Sequence, residues 1–136
     1  MQQLGVHGMN WILKDKRLAI YLRDGMTCAY CGSVLEDGIT LTLDHIIPRS
    51  RGGTNKAYNL ITSCAKCNKS KGDRQANEFI TTVAAYLNHG ITATMIEDHI
   101  YTCLNRDLKP FREIAKEIIS LRPTWRDALE TASSSI

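Results

Sequence analysis

Four of the chain's five cysteines fall into two pairs, Cys28-x2-Cys31 and Cys64-x2-Cys67, with 32 residues between the pairs. No other feature narrows the possible folds so far. A C-x2-C turn points two thiolates at one ion, so two such turns describe one tetrahedral four-cysteine zinc site. The competing use of paired thiols is redox chemistry. Gly32, directly after the first pair, suits a tight turn that needs freedom in φ. A site closed by four sulfurs leaves no position for water, so such a zinc holds the fold and performs no reaction. The 32-residue gap is too long for a minimal zinc ribbon, and any chemistry has to come from what is inserted there. Cys103 stands apart in an apolar helical pattern and reads as a small buried hydrophobe.

The chain has 136 residues, enough for one domain with a helical extension and one modest core that its two halves need not share. Its 43% hydrophobic and 23% charged residues argue against disorder. No apolar run approaches the roughly 20 residues that cross a bilayer. The opening "MQQLGVHGMNWILKDKR" shows no secretory signal, so no membrane association and a cytoplasmic location are expected. The net charge of +3 is unevenly spread. Residues 44–74 carry Arg49, Arg51, Lys56, Lys66, Lys69, Lys71 and Arg74 against Asp44 and Asp73, whereas 1–43 are neutral and 75–136 are mildly acidic. A basic stretch of this kind suits a polyanion such as nucleic acid.

Residues 14–24 read as a helix stopped by Gly25. "VLEDGITLTLDHI" reads as a hairpin turning at Asp37-Gly38, with Ile39, Leu41 and Leu43 alternating with Thr40, Thr42 and Asp44. "RSRGGTNKAYN" is a loop, and a short helix starts near Cys64 to Asn68. Beyond Gly72 the pattern turns helical: "QANEFITTVAAYLNHG", "ATMIEDHIYTCLNRD" and "KPFREIAKEIISL", then a last helix capped by Thr124 with Asp127, and "TASSSI" as a polar tail.

Between the knuckles, Asp44 and His45 end the second strand, with side chains on opposite faces unless the strand bends. A carboxylate that holds a hard divalent cation beside a base of near-neutral pKa suits hydrolysis of a phosphodiester. Asn68 can offer an amide oxygen as a further ligand, or can simply cap the helix that follows the knuckle. Asn59 alone is a turn residue. The apolar neighbours Leu43 and Ile46 set the Asp-His pair apart from an ordinary polar strand end, although such a pair taken alone is more often incidental than catalytic. His7, His89 and His99 have no motif around them.

Together, "RDGMTCAYCG" and "LDHIIPRSRGG…NLITSCAKCNKSKGD" resemble the HNH endonucleases, the His-Me finger or ββα-metal class, over roughly residues 20–74. The family pattern is a DH pair, an Asn about fourteen residues on, and a His or Asn about nine further. Here these are Asp44-His45, Asn59 and Asn68. The resemblance implies an α+β fold: a zinc-stapled ββα-metal core with a preceding helix in residues 1–74, and an all-helical extension in 75–136. It implies His45 as general base, Asp44 and Asn68 as ligands of a catalytic Mg²⁺ or Mn²⁺, and Asn59 as the brace that fixes the imidazole through the loop backbone. Cys28, Cys31, Cys64 and Cys67 would hold the structural Zn²⁺. The expected partner is DNA, nicked one strand per site, with Arg49, Arg51, Lys69, Lys71 and Arg74 on its phosphates. Asn in place of the final His favours Mg²⁺ over softer ions. The alternative is a zinc-stapled binding or adaptor module without catalysis. Residues 75–136 can serve a homo-oligomer or a protein partner.

Overall fold

The computed structural model describes residues 11–87 and 89–136. The expectations that fell on residues 1–10, including His7 and the character of the amino terminus, lie outside the described residues.

Helix α1 (Lys14–Arg23) forms where Leu18, Tyr21 and Leu22 recur at helical spacing, and Gly25, at φ 77°, ends it. The first cysteine turn follows. Strand β1 (Leu41–His45) pairs antiparallel with β2 (Leu60–Cys64), from Leu41 opposite Cys64 to His45 opposite Leu60. Helix α2 (Ala65–Lys71) leaves β2 without a connecting loop, capped by the Cys64 sulfur, which accepts from the Cys67 N–H. Then come α3 (Ala76–Leu87), α4 (Ala93–Leu104), α5 (Leu108–Leu121) and α6 (Trp125–Ser134). Among the described residues the architecture is α+β, with a two-stranded antiparallel sheet in a helical surround.

The hairpin expected at 34–46 is not the one observed. Leu35–Asp37 form a 3₁₀ turn, because the Asp37 carboxylate accepts from the Val34 N–H at 2.9 Å and Gly38 closes the turn at φ 81°. Val34 pairs instead with Thr27, in a bridge that flanks the first knuckle. The true partner of β1 is "LITSC", rich in β-branched residues and buried throughout. The tail expectation also needs correction. α6 runs through Ser134, with Ala132 fully buried, because that alanine falls on the inward face of the helix with Ala128.

The sheet divides two cores. Leu41, Leu43 and Leu60 pack with α1 and with Ala115, Ile118, Ala128 and Ala132 of α5 and α6. On the other side, Ile61 and Tyr30 pack with Phe79, Ile80 and Val83 of α3 and with Ile96, Ile100 and Cys103 of α4. Helices from the carboxyl-terminal half therefore enter both cores. On α5, Leu108, Phe111, Ala115 and Ile118 face inward at intervals of three and four residues. Thr124 caps α6 as the sequence implies, accepting from the Asp127 N–H, and Thr92 caps α4 by accepting from the Met95 N–H.

A buried pair at the end of α1 holds the sheet. The Arg23 guanidinium meets Asp24 at 2.7 Å and donates to the Ala57 and Leu60 carbonyls, while Asp24 accepts from the Thr62 N–H. No helix among the described residues is long and apolar enough to cross a membrane.

Candidate functional site

The four paired cysteines converge. Their Sγ atoms all lie within 4.8 Å of one another, and Cys31 and Cys64 are 3.8 Å apart. A tetrahedron with Zn–S bonds of about 2.3 Å has edges of about 3.8 Å, whereas a disulfide would need about 2.05 Å. The donor set and its spacing therefore fit zinc. Each turn is closed by an N–H pointing at sulfur: Cys31 N–H to Cys28 at 3.5 Å and Cys67 N–H to Cys64 at 3.4 Å. A hydrogen bond from Cys67 lowers the Cys28 thiol to about 4 against the opposing effect of burial, and the same bond pushes Cys67 up. The Ala29 N–H donates to the Thr62 carbonyl at 2.9 Å, docking the first knuckle on β2. Cys103 stands outside the cluster, fully buried, and burial raises its thiol to about 11.

β1 aims its last two residues in opposite directions, as period-2 alternation requires. Asp44 turns inward and is 3% exposed. Its carboxylate accepts from the Tyr30 hydroxyl at 2.5 Å and pairs with the Lys71 ammonium at 3.1 Å. Burial raises its pKa, an effect that the Tyr30 bond and the Lys71 charge oppose without cancelling. His45 is half-buried on the other face. Its ring stacks on Trp11, with centroids 5.2 Å apart, and its Nε2 lies 2.8 Å from Asn55 Oδ1.

α2 lies across the inward face of β1. Asn68 donates its amide N–H groups to Thr42 Oγ1 at 3.0 Å and to the Leu43 carbonyl at 3.1 Å. One turn later Lys71 reaches Asp44 and the His45 carbonyl, the latter at 2.8 Å. Asn68 and Asp44 thus share a face of the strand without bonding each other, and Lys71 stands on the carboxylate.

The loop between the strands is rigid for identifiable reasons. Asn59 is buried and makes three bonds across it: it accepts from the Ile47 N–H at 3.0 Å and donates to the carbonyls of Ile47 and Thr54 at 3.1 and 2.8 Å. A Cβ at Gly53 would stand 1.6 Å from the Ile47 oxygen, so only glycine fits there. Gly52 sits at φ 90°. Lys16 donates to the Asn55 carbonyl at 3.1 Å, tying the loop to α1.

Among the basic residues, Arg49, Arg51 and Lys69 are exposed, with Arg51 on Glu78 at 3.0 Å. Arg74 lies over Phe79 and donates to the Ser70 and Lys71 carbonyls. Lys71 is not on that surface: it is 2% exposed, and its ammonium is committed to Asp44 and the His45 carbonyl. His89 and His99 are exposed, and His99 Nε2 lies 3.6 Å from the Cys103 sulfur. A cleft of about 790 Å³ runs along β1, with Trp11, Thr42, Asn68, Trp125 and Arg126 among its lining residues. Sequence inspection missed Trp11, Tyr30, Asn55 and Lys71 as neighbours of the Asp-His pair. Only the C-A-Y-C spacing of Tyr30 and the K-G ending at Lys71 hinted at two of them.

The profile of the HNH endonuclease family matches residues 28–74. A 52-residue stretch is 44% identical to the CRISPR-associated endonuclease Cas9 of Corynebacterium diphtheriae, covering 38% of this chain and 5% of that protein. A 50-residue stretch is 40% identical to the Cas9 of Actinomyces naeslundii, covering 36% of this chain and 4% of that protein. The chain thus matches about one-twentieth of the length of these curated relatives. No solved structure matches it. Residues 28–74 therefore match the HNH endonuclease family, the nuclease class that the paired cysteines and the Asp-His strand end resemble.

Proposed function

We propose that the protein is a divalent-metal-dependent DNA endonuclease in which His45 is the general base. The observation that carries this is the state of His45. It is a half-buried imidazole, stacked on Trp11 and hydrogen-bonded to Asn55, at the end of a strand whose following loop is locked by Asn59 and Gly53. A side chain held this firmly while partly open to solvent suits proton transfer from water. The proton passes from water to the ring, the water oxygen bonds to phosphorus, and the ester P–O bond breaks, its leaving oxygen taking a proton from solvent while the ring later returns its own. Asn59 acts through the loop backbone and touches no substrate.

Asp44 and Asn68 would hold the catalytic Mg²⁺ or Mn²⁺. Their oxygens are hard donors of the right kind, and both amide N–H groups of Asn68 are already spent on Thr42 and Leu43. Bound there, the cation would neutralise charge on the phosphate being cut. Zinc in the cysteine cluster holds the knuckles to β2 and α2. Such thiolates belong in a reducing compartment, in keeping with a cytoplasmic location. Arg49, Arg51, Lys69 and Arg74 are the phosphate contacts proposed for the DNA backbone. One site per chain cuts one strand, so a monomer nicks.

One observation favours a second function, a zinc-stapled nucleic-acid-binding module without catalysis. The Asp44 carboxylate is buried and already paired with Lys71 and Tyr30. A plasmid-nicking assay separates the two. Supercoiled DNA with Mg²⁺ or Mn²⁺ is expected to become open circles, and His45→Ala to stop this while zinc content stays the same. Supercoiled plasmid left intact at every protein concentration refutes the nuclease.

A further inference from the structure

We infer that Asn55 is a positioning residue that sets the tautomer of His45, so that Nδ1 is the nitrogen that takes the proton from the attacking water. The inference rests on His45 being the general base.

The contact defines the chemistry. Asn55 Oδ1 lies 2.8 Å from His45 Nε2. A carboxamide oxygen can only accept, so Nε2 must carry hydrogen and donate. In neutral imidazole that leaves the lone pair on Nδ1. When Nδ1 takes the proton, the ring becomes a cation and the Nε2–H bond to Asn55 becomes charge-assisted, and so stronger. Asn55 therefore favours the ring as it stands after proton transfer, without touching water or phosphate.

Two further contacts make Asn55 a fixed reference. Its carbonyl accepts from Lys16 of α1 at 3.1 Å, and the preceding carbonyl, of Thr54, accepts from Asn59 at 2.8 Å. The Trp11 ring, 29° from coplanar with the imidazole, hinders a ring flip that would exchange the two nitrogens. Trp11 is itself covered by the Arg17 guanidinium, 5.4 Å from its ring centre. The middle asparagine of the family pattern, Asn59, thus acts at one remove: it holds the loop, and the loop holds Asn55 against His45.

The test uses the zinc-loaded full chain labelled with ¹⁵N in histidine. Long-range proton–nitrogen spectra, recorded above the pH at which the ring protonates, are expected to show His45 as the Nε2–H tautomer. Asn55→Ala should shift the ring toward a tautomer mixture, and Asn55→Asp, which keeps an accepting oxygen, should retain the wild-type pattern. In nicking kinetics Asn55→Ala is expected to lower kcat about 10- to 100-fold with KM little changed, by analogy with the loss of a hydrogen bond that orients a metal-bound imidazole. Asn55→Asp should restore most of kcat. A wild-type spectrum showing the Nδ1–H tautomer overturns the inference. So does an Asn55→Ala protein with wild-type kcat, or an Asn55→Asp protein as slow as Asn55→Ala. If Asn55→Ala fails to fold, the wild-type spectrum and the Asn55→Asp kinetics still decide. Wild-type protein that never cuts DNA refutes the nuclease itself, and the spectrum then decides the tautomer alone.

Discussion

The Lys71 ammonium lies 3.1 Å from the Asp44 carboxylate, with both side chains buried and the Tyr30 hydroxyl on the second carboxylate oxygen. One carboxylate thus joins three pieces of chain: the first cysteine turn, β1 and α2. Removing one partner of a buried pair strands the other, at about 3–5 kcal/mol. Lys71→Met is therefore expected to lower unfolding free energy by about that amount in urea titration of the zinc-loaded protein, with Asp44→Asn/Lys71→Met recovering much of it.

The pH dependence of that loss has a definite sign. Burial raises the Asp44 pKa above 3.8, against the opposing Tyr30 and Lys71. A raised carboxyl favours folding fully below its unfolded value, and that contribution is lost as pH rises through the folded value. A neutral carboxyl needs no ammonium. The stability gap between wild type and Lys71→Met should therefore narrow on acidification and be widest near neutrality. A gap that grows in acid would show that Lys71 does not serve Asp44.

Removing the zinc ligands should be far more severe. Structural zinc contributes on the order of 10 kcal/mol to small domains, so Cys64→Ser or a strong chelator is expected to unfold the knuckles and β2 together. Cys103→Ser should keep one zinc per chain by native mass spectrometry, because Cys103 lies outside the cluster. Loss of zinc from that variant would place the metal elsewhere.

Adjacent glycines should behave differently. Gly53→Ala drives a Cβ to 1.6 Å from the Ile47 oxygen, so the loop must move and the three Asn59 bonds must break. At roughly 1 kcal/mol per bond this costs about 3 kcal/mol, and nicking should fall with it. Gly52→Ala meets no atom within 4 Å and strains only its positive φ, for about 1–2 kcal/mol. Equal melting temperatures for the two variants would refute the close approach at Gly53.

Asp15 and Arg112 bridge α1 and α5 at 2.9 Å. Burial would raise the Asp15 pKa, yet the hydrogen bond and charge of Arg112 outweigh it and the net shift is downward. A lowered carboxylate stabilises above its unfolded value of about 3.8, and the contribution disappears as pH falls through the folded value. Both groups are partly exposed, so Arg112→Ala should cost at most about 1 kcal/mol at neutral pH, and less in high salt.

What was legible in the sequence is what short-range spacing encodes. Two C-x2-C turns imply a shared ion because each turn is local. Helices α1 and α3–α6 follow from apolar periodicity, with Thr124 as cap and Gly25 as stop. The D-H, N, N pattern pointed to residues 44, 45, 59 and 68 and to the family. The partner of β1 was not legible: Val34 and Leu60 are both plausible apolar strand starts, and a capped 3₁₀ turn at Asp37 decides between them. Nor were the environments of Asp44 and His45. Residues one position apart emerge on opposite faces, so Asp44 meets Tyr30 and Lys71 while His45 meets Trp11 and Asn55. Ion pairing, stacking and tautomer choice depend on distances of a few ångströms between segments tens of residues apart. Only the packed sheet, with helices on both sides, sets those distances.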